Sequence, residues 1–183
     1  FDINFLGIIP INLGELPLVL FQRSIGTLFL LLVGVGFSLS EYRNNEGYWH
    51  HAKRGLLLSG IALLITIVTW IYPNKAFITF GIIHLIAAST FIAPIVYRFG
   101  RWNYLIGILI LIMGLMIAGT KIQSDYFFWL GLPSIGYEAL DYYPLLPWFG
   151  IVLIGLPIGK EIVTRRARLA STTKSKLIAK LAY

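Results

Sequence analysis

Five long apolar stretches divide this chain, and its charges fall almost entirely in the gaps between them. A helix crossing a hydrocarbon layer of roughly 30 Å needs about 20 apolar residues, and several of these stretches reach that length. Strands are a poor alternative. An open sheet edge cannot be satisfied in lipid, and the runs lack the alternation of a barrel. The pattern predicts an all-α fold: a polytopic integral membrane bundle with five transmembrane helices.

Those helices are expected over Pro17 to Ser40, Arg54 to Tyr72, Phe77 to Tyr97, Trp102 to Gly119 and Leu146 to Val163. Pro73-Asn74 stops the second, because proline offers no N–H and disfavours helix in the residue before it. Gly100 marks the tight link between the third and fourth. Trp49, Trp70, Trp102, Trp129 and Trp148 fall near span ends, where amphipathic rings favour the interface. Gly34, Gly36, Gly114, Gly155 and Gly159 are expected at close helix contacts, and Pro94 and Pro157 at kinks.

Charged residues make up 13% of the chain, about half the share of a soluble domain, so one helical bundle over 1–164 and a basic tail over 165–183 account for its length. The net charge of +7 does not indicate nucleic acid. Seven lysines and arginines lie between Lys160 and Lys180, the position of a juxtamembrane basic tail that meets membrane lipid. With five crossings, 12 of the 15 basic residues share the side of the C-terminus, leaving Arg23, Lys75 and Lys121 opposite. The excess predicts a multi-pass protein of the cell membrane with a cytoplasmic C-terminus and residue 1 outside. A chain beginning outside as Phe1-Asp2-Ile3-Asn4 is expected either to follow a further, sixth helix, the favoured reading, or to have lost one by processing.

Ionisable groups inside a span are functional candidates, because lipid penalises them. Arg23 and His84 each lie about 10 Å from the same end of the bundle, at 1.5 Å per residue. Arg23 either snorkels to headgroups or binds an anion; His84 either bonds a neighbouring helix or acts as a base. A lone histidine without a second ligand at helical spacing is a poor metal site, so no metal is expected. The loop from Thr120 to Leu145 adds Asp125, Glu138 and Asp141 among seven aromatic residues, a mixture suited to a sugar or amphiphile, or to a headgroup-level loop. Asp141, at the threshold of the last helix, is placed to pair with Arg23 or His84. The run Trp49-His50-His51-Ala52-Lys53-Arg54 suits an anionic ligand or an anchor to anionic lipid. The basic stretch after Ala170 is either a surface helix or a solvated tail.

Four runs, in order, carry a resemblance: Thr27-Leu28-Phe29-Leu30-Leu31-Leu32-Val33-Gly34; Arg54-Gly55-Leu56 leading into Ile65-Thr66-Ile67-Val68-Thr69-Trp70; Phe80-Gly81-Ile82-Ile83-His84-Leu85-Ile86; and Asp141-Tyr142-Tyr143-Pro144-Leu145-Leu146-Pro147-Trp148-Phe149-Gly150. Together they resemble the small prokaryotic members of the heparan-α-glucosaminide N-acetyltransferase catalytic-domain family. The resemblance implies an acyltransferase taking acetyl-CoA as co-substrate and an amino sugar or related acceptor. It also implies a preceding helix with an Arg-Gly signature, ending in a histidine whose role does not transfer to His84. On this reading His84 is the base or polar anchor and Asp141 its orienter. Arg23, Glu138 and Trp148 contact the substrate. A non-catalytic subunit in a larger membrane assembly, a homo-oligomer among the possibilities, is the competing reading; a transporter is the third.

Overall fold

The computed structural model describes residues 16–44, 47–72 and 77–181, and side chains within 20–43, 47–72 and 77–169. The segment around Phe1 and Lys75 lies outside the described residues. Five helices follow in order: α1 Leu16–Asn44, α2 Tyr48–Ile71, α3 Ile82–Val96, α4 Trp102–Ile117 and α5 Leu145–Leu181. Short 3-10 turns occupy Tyr97–Phe99 and Asp125–Leu130. No strand is assigned among the described residues, only isolated bridges at Phe80–Tyr142 and Ile122–Ser134.

Four segments are long and apolar enough to cross a membrane: Leu20–Arg43, Tyr48–Ile71, Ile82–Phe99 and Leu145–Leu169. The fourth expected crossing is shorter. α4 has 16 residues, about 24 Å at 1.5 Å per residue, below the full hydrocarbon thickness. It ends at Ile117 because the chain turns into extended backbone at Ala118 (ψ 127°) and then positive φ at Gly119 (φ 85°). The basic tail continues α5 as helix through Leu181.

The helices alternate in direction, and two near-backbone contacts fix how they pack. α1 runs alongside α5 in the same sense, with Gly34 against Val152 and Gly155. A Cβ on Gly155 would lie 3.0 Å from the Gly34 Cα, so neither position has room for a side chain. α4 runs antiparallel to α5, where a Cβ on Gly107 would meet the Gly150 carbonyl at 2.7 Å and one on Gly114 would meet the Pro147 Cα at 2.5 Å. Such small-residue seams let helices gain dispersion contact that lipid cannot match. Gly36 has open space above it and takes no part.

α5 is therefore the central element. Val152, Leu153 and Leu156 are almost wholly buried, against Leu30 of α1 and Leu85 of α3. Pro94 and Pro157 lie inside α3 and α5, and α5 carries its irregularity earlier, at Leu146 (φ −97°, ψ 125°) before a cis bond to Pro147. Outward faces are apolar and exposed: Leu56, Leu57, Leu63 and Leu64 on α2, Leu109 and Met113 on α4.

At one end of the bundle, His51 Nε2 meets Glu41 Oε2 at 2.8 Å, and the Phe37 ring packs on His51 and Tyr97. Lys160 stands over the Tyr97 ring at 5.2 Å. These contacts bring the C-terminal end of α1, the N-terminal end of α2, the α3–α4 link and the middle of α5 together. The basic residues near those points therefore share one end. The expected anchor run is thus part of α2, with His51 turned inward, 2% exposed, while Trp49 is outward and exposed.

Candidate functional site

At the opposite end, the segment before α3 is held to α2 by two threonines one turn apart. Thr69 Oγ1 accepts the Ile78 N–H at 3.1 Å, and Thr66 Oγ1 donates to the Ile78 carbonyl at 2.7 Å. The loop after α4 then returns across this segment: Tyr143 N–H donates to the Phe80 carbonyl at 3.0 Å. That backbone contact brings Asp141 to the start of α3.

Asp141 Oδ2 accepts the Ile82 N–H at 2.9 Å. The first N–H groups of a helix have no partner within it and carry the positive end of its dipole, so a carboxylate there is doubly favoured. Gly81 is what permits the approach, since a Cβ at that position would collide with the Asp141 carboxylate. His84 serves the same helix end. The Gly81 N–H donates to His84 Nδ1 at 3.3 Å, in the manner of a residue three positions into a helix reaching back to its cap.

That bond fixes the tautomer. Nδ1 is the acceptor, so Nε2 carries the proton and donates to Thr66 Oγ1 at 3.1 Å, and Thr66 passes its own proton toward Ile78. Both ring nitrogens of His84 thus hold protein partners, and the ring packs against Phe80 at 5.7 Å between centroids.

Arg23, Asp141 and Trp148 line one groove of about 460 Å³, together with Gln22, Tyr143 and Pro147. Trp148 lies against Tyr143 at 4.7 Å between ring centroids. Tyr143 reaches α1 over Gly26, where a Cβ would stand 2.5 Å from its hydroxyl oxygen. Burial, then the Asp141 charge, pushes the Tyr143 phenol above its ordinary pKa, while Arg23 pulls it down. The groove therefore holds a carboxylate, a guanidinium and a phenol that stays protonated. His84 is not in its wall; it stands behind Asp141, on the same helix end. Glu138 is exposed on the loop and also outside the wall.

An aromatic cluster supports the loop from below. Phe128, Tyr137 and Tyr142 lie ring against ring, Tyr137 is bonded to Thr79, and Tyr142 donates to the Phe128 carbonyl at 2.6 Å. Burial raises the phenol pKa of both Tyr137 and Tyr142. Tyr143 was marked in the sequence only as one of the loop's seven aromatic residues, and Thr66 and Gly81 were given no role there. Two threonines one turn apart in an otherwise apolar span were the available signal for Thr66. No group of three or more metal-binding side chains occurs among the described residues.

A family model described as "Heparan-alpha-glucosaminide N-acetyltransferase, catalytic" matches residues 1–183, the whole chain. No curated protein matches the chain, and no solved structure does.

Proposed function

The chain belongs to the heparan-α-glucosaminide N-acetyltransferase catalytic family, and from that footing we propose a membrane acetyltransferase whose acceptor binds in the groove of Arg23, Asp141, Tyr143 and Trp148. The donor is acetyl-CoA, which supplies an activated acyl group; the acceptor is an amino sugar or a related amine or alcohol. In this reading all five helices cross the cell membrane, the shorter α4 included, and the groove faces the extracytoplasmic side.

The observation that carries the proposal is a carboxylate beside aromatic rings on the wall of one groove. Rings give a sugar a flat apolar surface, while a carboxylate accepts hydrogen bonds from hydroxyl or ammonium groups. Asp141 orients the acceptor's nucleophilic atom. Arg23 meets its anionic or hydroxyl groups, Trp148 with Tyr143 lies under the ring, and Glu138 contacts parts of the substrate that extend past the rim. His84 is the polar anchor that holds the start of α3, and with it Asp141, in register.

The groove does not suit the donor's nucleotide. It presents one guanidinium and a carboxylate, and the sequence has no phosphate-cradling glycine loop. The test is acetyl transfer from labelled acetyl-CoA to glucosamine by the full-length protein in proteoliposomes. Asp141→Asn should lower turnover at least about 100-fold, the scale of a lost positioning or acid–base group. Glu138→Gln should lower it less than about tenfold. Equal rates in wild type and Asp141→Asn would remove the groove from the reaction.

A further inference from the structure

At the other end of the bundle, a groove of about 600 Å³ lies between the start of α4 and the middle of α5. Its lining includes Arg101, Lys160, Arg165 and Arg168 against a single carboxylate, Glu161. Glu161 is taken up by Arg165 at 3.0 Å, one turn along the same helix. Tyr104 and Thr164 add hydroxyl groups, and Gly100, with open space above it at positive φ (55°), leaves the backbone accessible. We propose that this groove is a binding site for the phosphate headgroup of an anionic membrane lipid.

Charge complementarity is the first argument. Four cations from two separate stretches of sequence, Arg101 at the start of α4 and Lys160, Arg165 and Arg168 of α5, converge on one concave surface, which a solvated charge run along a single helix does not do. A phosphate diester is the membrane group that answers such a surface, and arginine's planar fork matches its oxygens. Each nearby cation strengthens attachment to anionic lipid by about fivefold.

Depth is the second. The groove opens where α4 begins, at Arg101 and Trp102, and Trp102 is 67% exposed, the position of a ring at the membrane–water boundary. Below it the same helix presents exposed Leu105, Ile108, Leu109 and Ile112. A headgroup held in the groove thus has an apolar helix face directly beneath it for its acyl chains. A soluble phosphate compound would leave that face unused. Basic pockets between helices at this level are suited to such headgroups.

The site is independent of the acceptor groove, which lies at the far end of the bundle. The experiment is native mass spectrometry of the full-length protein exchanged into phosphatidylcholine nanodiscs with graded phosphatidylglycerol. Wild type should retain phosphatidylglycerol over phosphatidylcholine. Arg101→Gln or Lys160→Gln should lower that preference about fivefold each, and the pair about 30-fold. Glu161→Gln should raise it, a gain that no misfolded protein would give. Arg43→Gln, a basic change at the same end of the bundle but outside the groove, should leave it unchanged. Equal loss in Arg43→Gln would reduce the effect to diffuse charge and overturn the site. Displacement of the bound lipid by millimolar inorganic phosphate or coenzyme A would assign the groove to a soluble phosphate instead.

Discussion

Asp141 accepts the Ile82 N–H at 2.9 Å, so a carboxylate 59 residues further along the chain closes the N-terminus of the helix that carries His84. One side chain thereby joins helix stability to groove chemistry. Substitutions can separate the two.

Asp141→Ala removes both the cap and the charge, whereas Asp141→Asn keeps an acceptor for the Ile82 N–H. Loss of an N-terminal cap costs about 1 kcal/mol. Asp141→Ala should therefore melt several degrees below wild type in detergent, and Asp141→Asn within a degree or two, although both lose acetyl transfer. Matching melting temperatures for all three proteins would mean that the capping bond carries no stability.

His84→Gln separates anchor from base. Glutamine at the third position of a helix reaches back to its cap as His84 does, and its amide can also donate to Thr66. An anchor role predicts near-wild-type stability and turnover within about tenfold for His84→Gln. His84→Ala, which leaves Gly81 N–H and Thr66 without their partner, should lose on the order of 1–2 kcal/mol. Turnover falling more than about 100-fold in a well-folded His84→Gln would instead identify His84 as a base.

Gly34→Ala sets a Cβ against the Val152 carbonyl, where α1 and α5 touch through their backbones. Overpacking of that kind costs about 1–3 kcal/mol, and backbone on both sides leaves little room to relax. Gly36→Ala, with nothing within 4 Å, should be neutral. Thermal unfolding of the two variants in the same detergent checks the contrast.

Tyr142→Phe deletes the bond to the Phe128 carbonyl and should cost about 1 kcal/mol. Its phenol is raised above 10.0, the ordinary value, mainly by burial. The stabilising contribution is therefore complete below pH 10 and is lost as the pH rises toward the folded value. Melting curves of wild type between pH 8 and pH 11 should fall more steeply above pH 10 than those of Tyr142→Phe.

The helices were legible because apolar length is a local property of the chain: α1 was expected over 17–40 and spans Leu16–Asn44. Tertiary contacts moved the other boundaries. Phe77 to Gly81 reads as apolar helix, yet it is extended because Thr69 and Tyr143 take its backbone hydrogen bonds. Trp49 to Arg54 reads as a surface anchor, yet it is helix, with His51 drawn inward by Glu41, a partner ten residues back. The meeting of Arg23, Asp141 and Trp148 on one groove depends on the loop crossing over Phe80, which no spacing within a single helix encodes. Glu138, in the same loop, shows the limit of composition: an acid among aromatic rings need not face the groove.

The proposed acceptor groove can be tested directly because the chain contains no cysteine. Ala118 is exposed and lines the groove, so a single cysteine there reports on its occupancy. Maleimide labelling of Ala118→Cys should slow as glucosamine is added, with half-protection near the KM for acetyl transfer, and Asp141→Asn should abolish the protection. Labelling unchanged at saturating acceptor, in a preparation still transferring acetyl groups, would place acceptor binding elsewhere and contradict the account.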